Sequence, residues 1–172
     1  MQQKRKEEQA LFDNLLRLKE KLEFELPLMF TKELDSSHFA SDVVFKEPHL
    51  PPIRGRTNYQ LFLRGLKDSG NLIFEEPQLQ VVRATMHAED GLVKVRWKIS
   101  GDYKSPFKLF QDSMGCFDGI SYYYVARTSG LVTVHQVDYN IPILPPVLKS
   151  QDALSWLDTA FAGVPTVRAF VF

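Results

Sequence analysis

The stretch Asp42-Val43-Val44-Phe45-Lys46-Glu47-Pro48 decides the reading of this chain. Alternation places Val43, Phe45 and Glu47 on one face of a strand, so an apolar row ends in a carboxylate. Pro48 cannot donate to a ladder and stops the strand there. Ile53-Arg54-Gly55-Arg56 then supplies a glycine turn, and an amphipathic helix is predicted over residues 57–68, closed by Gly70. Its apolar face carries Tyr59, Phe62, Leu63 and Leu66. A carboxylate at the end of an apolar row is a candidate general base or polar ligand anchor.

Upstream, Leu11, Leu15, Leu18, Leu22, Leu26 and Met29 recur at helical spacing, with Phe12, Leu16 and Phe30 widening the stripe. Pro27 would break a continuous helix, so a turn is placed near Glu25 with Pro27 opening a second, short helix. The stripe is too short for a coiled coil and suits packing on a sheet. Downstream the chain turns to strand. Leu79, Val81 and Arg83 alternate with Gln80, Val82 and Ala84, and Asp90-Gly91 signals a hairpin. The return strand presents Val93, Val95, Trp97 and Ile99 on one face and Lys94, Arg96 and Lys98 on the other. Residues 104–113 read as an irregular connection. A strand over 117–126, with Gly119 marking a bulge or bend, and another over 131–139 complete a meander turned at Ser129-Gly130.

Helices first, then one short strand, a helix and an antiparallel meander: the order is α+β, with helices on one face of the sheet. Residues 1–140 form this domain. Residues 141–172 hold Pro142, Pro145 and Pro146 as a stiff connector, a short C-terminal helix over 152–162 and an apolar tail that packs on the domain or leaves it.

Composition narrows the function classes. A chain of 172 residues with 44% hydrophobic and 24% charged residues suits one globular domain. Its 21 basic and 21 acidic residues cancel, so no overall field recruits nucleic acid or an anionic membrane. No apolar run is long enough for a membrane span. Cys116 stands alone, which excludes an internal disulfide, and its apolar neighbours predict a buried thiol. His38, His49 and His87 have no ligand-like spacing, so neither a metal nor a cofactor is expected. Phosphate-loop, dinucleotide and nucleophile-elbow motifs are absent. Residues 1–8 have no hydrophobic signal core and are too acidic for a transit peptide.

The element order, with Leu26-Pro27, Asp42-Val43-Val44-Phe45, Gly55, Tyr59, Arg96-Trp97, Gly119-Ile120-Ser121-Tyr122 and His135, resembles an uncharacterised, domain-of-unknown-function branch of the nuclear-transport-factor-2-like, SnoaL-like superfamily. The resemblance covers residues 10–140 and implies a curved antiparallel sheet wrapping the helices into a cone with a pocket. It also implies an organellar location, chloroplast or mitochondrion, with the targeting peptide absent from this chain; a cytosolic protein is the other fit. In plants, members of that branch are sometimes fused to a SOUL haem-binding domain, which raises a link to tetrapyrrole handling. The superfamily includes ketosteroid isomerase, whose base precedes a proline at the end of the first strand, as Glu47 precedes Pro48. At the place of the isomerase's protonated aspartic acid this chain has Ser121, and no tyrosine precedes Tyr59 to supply the second oxyanion donor. One of three catalytic roles is filled.

The candidate site is therefore Glu47 and His135 as catalytic or polar groups, with Phe45, Tyr59, Trp97, Ser121 and Tyr123 as ligand-binding walls. His135 could pair with Glu47 or bind ligand. Three readings follow. The first is a non-enzymatic pocket for a hydrophobic or amphipathic small molecule. The second is an isomerase, cyclase or dehydratase with Glu47 as general base. The third is an interaction module, in which the outer sheet face, with one or two of Tyr122, Tyr123 and Tyr124 turned outward, serves a homodimer or an attached domain.

Overall fold

Leu11, Leu15, Leu18 and Leu22 wind onto one face of α1 (Gln2–Glu25), and all four are buried. The computed structural model describes residues 2–48, 50–105 and 115–140. Phe12 and Leu16, expected to widen the stripe, are 40% and 37% exposed. Each follows an inward leucine by one position, about 100° around the helix, which turns it toward solvent. Pro27 opens a 3-10 turn (Leu26–Leu28), and Leu26, Met29 and Phe30 carry the buried face onward.

The strand that decided the reading is β1 (Phe39–Lys46), with Val43 and Phe45 buried. A short β2 (Ile53–Arg54) returns antiparallel to it. Gly55 follows at φ 88°, a conformation only glycine adopts without strain, and releases the chain into α2 (Arg56–Ile73). The predicted end of that helix is corrected. Gly70 lies inside α2, where a Cβ would sit 2.3 Å from the Phe30 ring. The bare helix surface admits Phe30, and the helix ends where Phe74 turns extended.

The meander follows as β3 (Phe74–His87), β4 (Leu92–Tyr103), β5 (Gly115–Val125) and β6 (Val132–Asn140). Gly91 and Gly130 take positive φ in the turns where hairpins were expected. The sheet order is β2-β1-β6-β5-β4-β3. One pairing departs from the antiparallel expectation: β1 runs parallel to β6, with Phe45 opposite His135. Parallel neighbours need a long crossover, and everything from β2 to β5 provides it.

A shift of register between Val81 and Arg83 resets the inward face of β3. Leu79 and Val81 point to the core before it, Ala84 and Met86 after it, and Arg83 is exposed rather than sharing their face. Gly119, by contrast, is no bulge. The register through it is regular, opposite Trp97, whose ring occupies the space a Cβ would need. Cys116 is exposed rather than buried, because strand parity sets it with Asp118 on the outer face. The expected connector, helix and tail of residues 141–172, and most of the connection over 104–113, lie outside the described residues. Among the described residues, no helix is long and apolar enough to cross a membrane.

Candidate functional site

Strand parity assembles one concave wall. From β4 come Val93, Val95, Trp97 and Ile99; opposite them on β5 stand Tyr123, Ser121, Gly119 and Phe117. β6 continues the same face with His135, Val137 and Tyr139, and β1 with Phe45, followed by Glu47 just past its end. Helix α2 closes the other side with Tyr59, Phe62, Leu63 and Leu66. Between them lies a cavity of about 110 Å³. That is the order of an engineered cavity of roughly 150 Å³ that stays dry and accepts benzene. All seven residues named from the sequence line it: Phe45, Glu47, Tyr59, Trp97, Ser121, Tyr123 and His135.

His135 is held on every side. Its ring stacks on Tyr123 at 4.2 Å between centroids and meets the edges of Phe45 and Tyr59. Nδ1 lies 2.7 Å from the Tyr59 hydroxyl. Burial pushes the Tyr59 phenol well above its ordinary range, reinforced by Tyr123, so the hydroxyl keeps its proton. The phenol proton has no other acceptor among the described residues, so donation to Nδ1 is the arrangement that satisfies it, and this puts the imidazole proton on Nε2. Desolvation lowers the His135 pKa to about 3, so the ring is neutral at physiological pH. Nε2 is buried with no acceptor among the described residues, an arrangement that costs about 1–3 kcal/mol when left unmade.

The anticipated pairing of His135 with Glu47 does not form. The parallel register sets Phe45, not Glu47, beside His135, and each polar group meets a tyrosine instead. Glu47 accepts a 2.5 Å hydrogen bond from the Tyr139 hydroxyl. Burial first, and the Glu47 carboxylate second, push the Tyr139 phenol up. Tyr139 went unnamed in the sequence reading, although it continues the alternation of His135 and Val137 and was open to the same parity argument. Trp97 Nε1 donates to Ser121 Oγ at 2.9 Å, which holds the indole against Gly119. The Tyr123 phenol is also driven up by burial, opposed by a hydrogen bond with Ser121. Every wall hydroxyl is thus tied to a neighbour, and the interior offers mostly carbon.

A family model described as an uncharacterised conserved protein, DUF2358, matches residues 16–135. The chain belongs to this family. Among curated proteins, the DUF2358 chain is 28% identical over 141 residues to the rat "Uncharacterized protein C6orf136 homolog", covering 78% of this chain and 81% of that one. Among solved structures it is similar to PrhC from Penicillium brasilianum, with a TM-score of 0.56 and 10% identity, covering 92% of this chain and 96% of the other. It is similar also to a SnoaL-like protein from Jannaschia, with a TM-score of 0.54 and 12% identity, over 85% and 90% of the two chains. At such identities the likeness shows the fold alone: this DUF2358 member has the nuclear-transport-factor-2-like, SnoaL-like architecture.

The outer face of the sheet is charged and aromatic. Lys94 stands over the Tyr122 ring at 5.5 Å, Arg96 faces Asp118 at 3.9 Å, and Tyr124 is exposed.

Proposed function

We propose that the chain is a binding domain for an apolar small molecule, held in the cone between α2 and the concave sheet, and that it performs no chemistry on it. The observation that carries this reading is the cavity of about 110 Å³ whose wall hydroxyls and indole N–H are already engaged. Trp97 is spent on Ser121, Tyr59 on His135 and Tyr139 on Glu47. Burying an apolar body there contributes about 25 cal/mol for each Å² removed from water. A carbonyl or ether oxygen reaching His135 Nε2 would add the acceptor which that nitrogen lacks.

The test is to purify the protein from its own source, extract what it retains and identify it by mass spectrometry, beside a variant with Leu63→Trp filling the cavity. Wild-type protein is expected to carry an apolar compound and the filled variant to lose it. Equal retention by both would sink the reading.

One observation favours a second reading, that of an enzyme of isomerase or cyclase type. Glu47 stands in the cavity wall at the strand end, coupled to the Tyr139 hydroxyl, a pair able to exchange a proton with a bound substrate. Turnover of any retained compound that stopped in Glu47→Gln, with binding intact, would establish this enzyme in place of the carrier.

A further inference from the structure

A second hollow adjoins the cavity. It is small, about 20 Å³, and three of its walls, Met29, Leu34 and Leu63, belong to the cavity as well. Its remaining walls are polar: Lys32 and Glu33 after the 3-10 turn, and Gln60, Arg64 and Lys67 along α2. The cations outnumber the single acid. Arg64 is occupied, its Nε lying 3.0 Å from Glu33 Oε1 and its Nη2 donating to Oε2 at 3.1 Å. Lys32 and Lys67 meet no carboxylate within ion-pair distance among the described residues. The apolar cavity and the hollow thus share three side chains as a common wall, and the hollow's lining adds two lysines that no carboxylate claims among the described residues.

The geometry points to an apolar monocarboxylate as the ligand: a hydrocarbon body in the cavity, with its carboxylate between Lys32 and Lys67. This rests on the proposed binding role of the cavity and adds to it the chemistry and direction of the ligand. Three features select that class. A water molecule needs about 10–15 Å³ by the same measure, so the hollow takes one or two water-sized groups, the size of two carboxylate oxygens. The available cations are lysines, point charges that suit a compact anion, while the bidentate arginine is already matched to Glu33. Glu47 lines the cavity but not the hollow, so its carboxylate disfavours an anionic group within the cavity, while the hollow's one acid is already paired with Arg64.

The experiment compares octanoate with octanol, equal in chain length and different in charge, by titration calorimetry on the full chain at low salt. Octanoate is expected to bind about fivefold to tenfold more tightly, the sum of two partly exposed charge contacts. The preference should shrink as salt rises. Lys32→Gln with Lys67→Gln should equalise the two ligands without weakening octanol. Arg64→Gln should weaken octanoate by leaving Glu33 unpaired in the hollow. If octanol binds as tightly as octanoate, or the preference survives the double substitution, the anion site is refuted while the apolar cavity stands. If neither compound binds, the binding role itself fails and the anion site with it.

Discussion

Replacing His135 by asparagine should flatten the dependence of stability on pH. In the folded protein burial holds the imidazole pKa near 3, against 6.5 for the exposed group. The unfolded chain therefore binds more protons than the folded one across this interval, so stability rises with pH. The contribution is fully present above about pH 6.5 and is lost as pH falls toward 3. Between pH 7 and pH 5, the unfolded imidazole goes from about one-quarter protonated to nearly complete, while the folded ring stays neutral. That difference amounts to about 2 kcal/mol of lost stability from this residue. His38, lowered to about 4 chiefly by burial, acts in the same direction, but it is common to both proteins and cancels in the comparison. Asparagine is the chosen replacement because its amide oxygen can stand near Nδ1 and accept from Tyr59 without titrating. Urea unfolding of both proteins at pH 7 and pH 5 gives the four free energies required. Wild type should lose about 2 kcal/mol more than the variant on acidification. Parallel losses would mean that His135 is not held neutral, and the argument for its tautomer and its unfilled Nε2 would fall.

Leu15→Ala should cost about 2–5 kcal/mol in the same unfolding assay, since Leu15 is wholly buried, whereas Leu16→Ala should cost under about 1 kcal/mol. Similar losses at both sites would contradict the orientation of α1. Gly119→Ala places a Cβ 2.5 Å from the Trp97 ring, and overpacking of this kind costs about 1–3 kcal/mol. In a Trp156→Phe background the tryptophan emission should shift as the indole is pushed off Ser121; an unchanged spectrum and midpoint would show that the ring has room to spare. Glu47→Gln retains an oxygen that can accept from Tyr139, so the carrier reading expects ligand affinity within about twofold of wild type, measured by calorimetry on whichever compound is retained. A tenfold loss would make the carboxylate a direct ligand contact.

Local pattern alone determined much of this protein. The period of the leucines set α1 and its buried face, Pro27 set the turn that ends it, and Gly55 set the entry to α2, because each constraint acts within a few residues. Parity along β1, β4, β5 and β6 likewise put six of the seven candidate residues on the cavity wall, since a side chain in a strand has only two faces to choose between, and the helical period of α2 put Tyr59 there. What the sequence left open were relations between distant segments. The parallel pairing of β1 with β6, the bulge that turns Arg83 outward, and the burial of Gly70 against Phe30 depend on partners far along the chain. The same holds for the polar contacts: Glu47 and His135 could have met each other, and the register of two strands from opposite ends of the domain gave each of them a tyrosine instead. A hydrogen bond is a matter of tenths of an ångström, and only the assembled sheet fixes distances that finely.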